Sequence, residues 1–244
     1  GSDDPAGRAP VSAEAAGKPV STGPFARAWA ICAKDAAAEA RRRVALASVF
    51  FFAATSLTLV SFAVGPAAFA PEERAGLDAA LLWILLFFST ATGLPRSFVR
   101  EEETGTAFAL RRVVPAVLVL AGKTLFNFLL FLAIAAVTVP GLSILIGWDV
   151  RSPGAMAAVL AAAGWGVAVV STFLAALVAR AGGKNVLFVL VCFPLMLPLL
   201  LASIDATVSA AGGGLPGASL RVILAYDGAA TCGAYLLAGA AWEE

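Results

Sequence analysis

The sequence predicts an all-α, polytopic membrane protein with six transmembrane helices, and three observations predict it. Of the 244 residues, 60% are hydrophobic and only 14% are charged, whereas soluble domains run nearer half apolar and a quarter charged. A single soluble domain of this length has too little interior for that surplus, so the surplus faces lipid. Charge-free runs near the length of a bilayer crossing, about 20 residues, recur along the chain. Lys and Arg also crowd alternate inter-span segments, as the positive-inside rule requires.

The same composition excludes much else. A net charge of +1 supplies no basic field for nucleic acid. There is no histidine, which removes the commonest general base, pH switch and metal ligand. Cys32, Cys192 and Cys232 form no CxxC pair, so each reads as a free buried thiol. Nothing resembles a nucleophile–base pair, a carboxylate dyad or a metal cluster. No catalytic, cofactor-binding or metal site is expected.

Residues 1–24 are rich in Pro, Gly, Ser and Ala without periodicity, which predicts a disordered tail. They carry no apolar h-region and so form no signal peptide. One transmembrane domain is expected over residues 25–244. It opens on Phe25 to Arg43, FARAWAICAKDAAAEARRR, Ala-rich and helical by propensity. Phe25, Trp29 and Cys32 follow i, i+4, i+7 spacing, while Lys34, Asp35, Glu39 and Arg41 crowd the later turns. An amphipathic helix lying on the membrane face is predicted, serving as a basic anchor or as a partner-binding element.

Spans are expected at about 44–65, 79–95, 118–142, 155–178, 186–203 and 220–242. With a cytoplasmic N-terminus the inner flanks hold eleven Lys and Arg and the outer loops three, Arg74, Arg151 and Arg221. Both termini are therefore expected in the cytoplasm. Lys123, at the inner end of the third span, is expected to snorkel towards water.

Arg96 to Pro115, RSFVREEETGTAFALRRVVP, is the strongly charged inner loop. Glu101, Glu102 and Glu103 precede Gly105, and Arg111 and Arg112 follow. A short helix, acidic at its start and basic at its end, would complement its own dipole. It would be either a docking element or a solvated loop. Asp227, inside the sixth span beside Tyr226, should face the bundle or a water-filled cavity, because a mid-bilayer carboxylate costs about 2.5–3.5 kcal/mol. Asp205 is placed in a polar outer loop. Pro194 and Pro198 each remove a helical hydrogen bond and should kink the fifth span, as a gate or a bend. Gly164 and Gly166 suggest close helix packing. Gly122-Lys123-Thr124 mimics the end of a phosphate-binding loop, but Val117 stands where its first glycine belongs. The chain itself should bind no ATP.

From Trp29 to the end, the sequence resembles the haem exporter protein B (CcmB-type) family. The resemblance rests on Lys34-Asp35 with Glu39 and Arg41, and on Ser61-Phe62-Ala63. It continues through Trp83, Phe87 and Leu94, Arg96-Ser97-Phe98 and Glu101 to Gly105. Pro115, Gly122-Lys123, Pro194 with Pro198, Ala225-Tyr226-Asp227 and Glu243-Glu244 complete it. It implies a permease subunit of an ABC transporter acting in cytochrome c maturation in the bacterial inner membrane. The implied partners are a separate cytosolic ATPase (CcmA-type), a haem-handling membrane protein (CcmC-type), a small single-span subunit (CcmD-type) and a periplasmic haem chaperone (CcmE-type). ATP would bind the partner ATPase, with haem as possible cargo. Arg96, Arg100, Glu101 to Glu103, Gly105, Arg111 and Arg112 would couple to the ATPase, and 25–43 would be the interfacial helix. Alternative readings are an ABC permease for a lipid or drug, and an ATP-independent channel or carrier.

Overall fold

The computed structural model describes residues 23–41, 43–64, 71–93, 115–180 and 185–238. They form seven helices: α1 Pro24–Arg41, α2 Arg43–Val64, α3 Pro71–Gly93, α4 Ala116–Ile146, α5 Pro153–Arg180, α6 Asn185–Ala211 and α7 Gly217–Ala238. No strand occurs among them. The tail before residue 23 and the charged loop 96–112 lie outside the described residues.

Local chemistry sets the helix ends. α1, α3 and α5 each open on a proline, whose fixed φ suits a first turn that needs no N–H partner. Gly147 closes α4 with φ 69°, a left-handed conformation that costs glycine little. α3 starts at Pro71, eight residues before the apolar run at 79. α6 extends to Ala211 rather than stopping near 203. Asp205 is therefore helical, not part of an outer loop, and accepts a hydrogen bond from Ser219 in the first turn of α7.

Ala116–Ile146, Pro153–Val178 and Leu190–Ala211 are long and apolar enough to cross a membrane. α5 is the most enclosed of these three and packs against α4, α6 and α7. Phe62, Ile144 and Leu236 are over four-fifths exposed, an apolar outer skin suited to hydrocarbon.

The interior is held partly by polar bridges between helices. Trp83 Nε1 donates to Thr207 Oγ1 at 2.9 Å, joining α3 to α6. Asn127 Nδ2 donates to Thr172 Oγ1 at 2.7 Å, joining α4 to α5. Trp165 Nε1 reaches Thr231 Oγ1 at 3.2 Å, joining α5 to α7. Such bonds contribute modestly in membranes, on the order of 0.6 kcal/mol each. They also fix which helix faces meet. At one end of the bundle Arg74 donates to the Ile146 carbonyl, and the Arg151 N–H donates to the Ala211 carbonyl at 3.1 Å. At the other end, α1 lies against α4.

Candidate functional site

Two polar features interrupt the apolar bundle. The first is at the α1 end. Lys123, 1% exposed, donates to Asp35 Oδ2 at 3.1 Å, and Asp35 is itself 7% exposed. Lys34 reaches the other carboxylate oxygen at 3.4 Å from a half-exposed position. Lys123 therefore does not snorkel. It turns inward to a carboxylate, which replaces the water it would otherwise seek.

The backbone allows this close approach at Gly122. A Cβ there would sit 2.7 Å from the Ala28 carbonyl oxygen and from Ile31 Cβ. Ala28, Ile31, Cys32 and Asp35 form the buried stripe of α1, spaced i, i+3, i+4, i+7 as one helix face requires. Of the predicted apolar face, Cys32 points into the protein, while Phe25 and Trp29 are 79% and 53% exposed, on a side free to lie against lipid. The small residue that lets the two backbones meet this closely is Gly122 on α4, which takes both the Ala28 carbonyl and the Ile31 side chain. Burial, and then the Asp35 carboxylate, push the Cys32 thiol above its ordinary pKa.

The second feature joins α5, α6 and α7. Asp227 is 6% exposed, and its Oδ1 has no hydrogen-bond partner among the described residues. It sits over Gly166, where an added Cβ would lie 2.1 Å from that oxygen and 2.8 Å from Leu199 Cδ2. The neighbouring Tyr226 hydroxyl donates to the Leu195 carbonyl at 2.8 Å. Leu195 follows Pro194 directly, in the stretch where Pro194 and Pro198 cost α6 two backbone bonds. Beside it, an apolar cavity of about 290 Å³ is lined by Val170, Phe173, Leu195, Tyr226, Ala230 and Leu237, among others.

A comparison with family models matches the chain to the CcmB protein family over residues 26–242. The chain belongs to the CcmB family. It is thereby a membrane permease component of haem export in c-type cytochrome maturation, within an ABC system of several Ccm components. No curated protein matches the chain.

In this CcmB chain the structure brings some of the singled-out residues together and separates others. Asp35 joins Lys123, whereas Trp29 and Arg41 stay on exposed faces and Glu39 is half-buried. Asp227 and Tyr226 meet α5 and α6 some distance from that pair along the bundle. Arg96, Arg100, Glu101, Glu102, Glu103, Gly105, Arg111 and Arg112 lie outside the described residues. Among the described residues no group of three or more Cys, Asp or Glu could hold a metal ion. Cys192 and Met196 are both buried, with their sulfurs 3.8 Å apart, and the Tyr226 hydroxyl is engaged on backbone.

Sequence reasoning missed the Asp35–Lys123 pair. The signal was available: Asp35 continues the 28, 31, 32 stripe, and Gly122 precedes a lysine inside an apolar helix.

Proposed function

We propose that this chain is the permease subunit through which a separate ATPase drives haem export, or release of the haem-loaded chaperone, in the bacterial inner membrane. All six predicted spans cross the membrane, with both termini in the cytoplasm. Segment 96–112, with its acidic and basic turns, receives the ATPase. A haem-handling membrane protein, a single-span subunit and a periplasmic haem chaperone complete the assembly. The observation that carries this reading is the family match over 26–242. The packing supports it, because α1 and the start of α4 form one end of the bundle and α4 begins just after the charged segment.

The test is a mild-detergent pull-down of the tagged chain from its native membrane. Recovery of an ATPase with a haem-handling partner is expected. An intact preparation without any ATPase would overturn the reading. Replacing Glu101, Glu102 and Glu103 together with lysine should abolish ATP-dependent activity while leaving the bundle folded. Unchanged coupling in that variant would remove the segment from the mechanism.

A further inference from the structure

A helix that lies on a membrane surface can follow the chain segment it continues into or the element it packs on. α1 and α2 are separated in the chain by a single residue, Arg42. Yet α1 packs chiefly on α4 and only lightly on α2. Three contacts hold it there. The Asp35 carboxylate takes the buried Lys123 ammonium. The Ala28 backbone and the Ile31 side chain close on Gly122. Cys32, 2% exposed, fills the face between them. Lys123 stands eight residues beyond Pro115, about 12 Å or roughly two helical turns from the start of α4. That short, continuous stretch is stiff, so a tilt at its beginning is carried to the pair.

We infer that the Asp35–Lys123 pair locks α1 to α4 as one moving body, which swings against α2 when the ATPase works. Asp35 and Lys123 are then positioning residues for the driven step. The inference rests on the ATPase-coupled reading and specifies which helices carry the stroke. The outer flanks of α1 suit this role. Phe25 and Trp29 lie on one side, and Arg27, Lys34 and Arg41, spaced by sevens, lie about half a turn round the helix from them. The aromatic side can ride in lipid while the helix shifts, with its cations kept in water.

The test uses the whole complex, purified with its ATPase, with Cys32, Cys192 and Cys232 replaced by alanine. Spin labels are placed at the exposed positions Ala33 and Val117, and in a second preparation at Ala33 and Thr55. The 33–117 distance should stay fixed between nucleotide-free and vanadate-trapped states, while the 33–55 distance shifts. A 33–117 distance that changes with nucleotide, or a 33–55 distance that does not, overturns the inference. Failure to recover an ATPase at all would instead count against the reading beneath it.

A functional arm separates positioning from mere stability. In Asp35→Asn, transport or chaperone release per ATP hydrolysed should fall on the order of 5- to 150-fold, the span of ordinary coupling energies. Activity is normalised to assembled complex, and Asp35→Lys with Lys123→Asp should regain part of the loss. Loss only in the amount of assembled complex, with coupling per complex intact, would assign the pair a structural role and sink the proposal.

Discussion

The Asp35–Lys123 junction and the Asp227–Gly166 junction both bury charge-bearing side chains between helices, and they do so in opposite ways. At the first, each group finds its opposite, and a second lysine stands at 3.4 Å. At the second, a carboxyl oxygen is pressed over a glycine and finds no partner among the described residues. A buried pair is costly to break but need not be strongly stabilising while intact, because desolvation offsets most of the attraction. At Asp227 Oδ1 there is no hydrogen bond among the described residues to break. The two sites should therefore respond very differently to removal of one polar atom.

The largest effect is expected from Lys123→Met, which leaves Asp35 buried without its principal partner. A loss of about 3–5 kcal/mol is the usual penalty for stranding such a charge. It would be read as a lower temperature of heat-induced aggregation in detergent. Adding Asp35→Asn to that variant should restore most of the loss; a double variant as unstable as the single one would show that packing, not charge, decides the site. Next comes Gly166→Ala, whose methyl meets both Asp227 Oδ1 and Leu199. Overpacking of this kind costs about 1–3 kcal/mol, visible in the same assay. Tyr226→Phe deletes one hydrogen bond to the proline-containing stretch of α6, worth about 0.5–1.5 kcal/mol. Asp227→Asn should do least, below about 1 kcal/mol, because the buried Oδ1 has no hydrogen-bond partner among the described residues to lose. A drop comparable to that of Lys123→Met would erase the contrast between the junctions.

Cys32 offers a chemical reporter for the first junction. Its pKa lies above the ordinary thiol value, so at neutral pH it stays protonated and a poor nucleophile. Maleimide labelling should be negligible near pH 7 and rise as pH approaches and passes the elevated pKa. In Lys123→Met the helix should loosen and Cys32 should label faster at neutral pH. Equal rates in the two proteins would mean that α1 stays docked without the pair.

Helix positions were legible because lipid imposes a simple rule: long apolar runs bounded by charge and proline. The ends of α3 and α6 were less so, since Glu72, Glu73 and Asp205 look like loop residues until helix-start chemistry and Ser219 are considered. In α1 the larger side chains pointed to a membrane-facing side and left the face that meets α4 unmarked. Phe25 and Trp29 mark the side open to lipid, whereas the face that meets α4 is Ala28, Ile31, Cys32 and Asp35, against a glycine at position 122. Asp35 looked like one more charge on a solvated flank. Its partner lies 88 residues away in the chain, and no local pattern reports a contact at that separation. The family resemblance was the most informative part of the sequence for function, because it drew on the order of many weak features rather than on any one motif.

That separation has a consequence for how the protein is made. α1 leaves the ribosome with Asp35 bare, and its cation follows after a further 88 residues, roughly 4–18 seconds at ordinary rates of synthesis. During that interval α1 has only the membrane surface to rest on, and its exposed Phe25 and Trp29 suit such a berth. Lys123 then enters the bilayer boundary as a charge that the already waiting helix can neutralise. The contact that closes the α1 end of the bundle is thus late to form, and it makes the earlier α1 a condition for seating the third apolar segment.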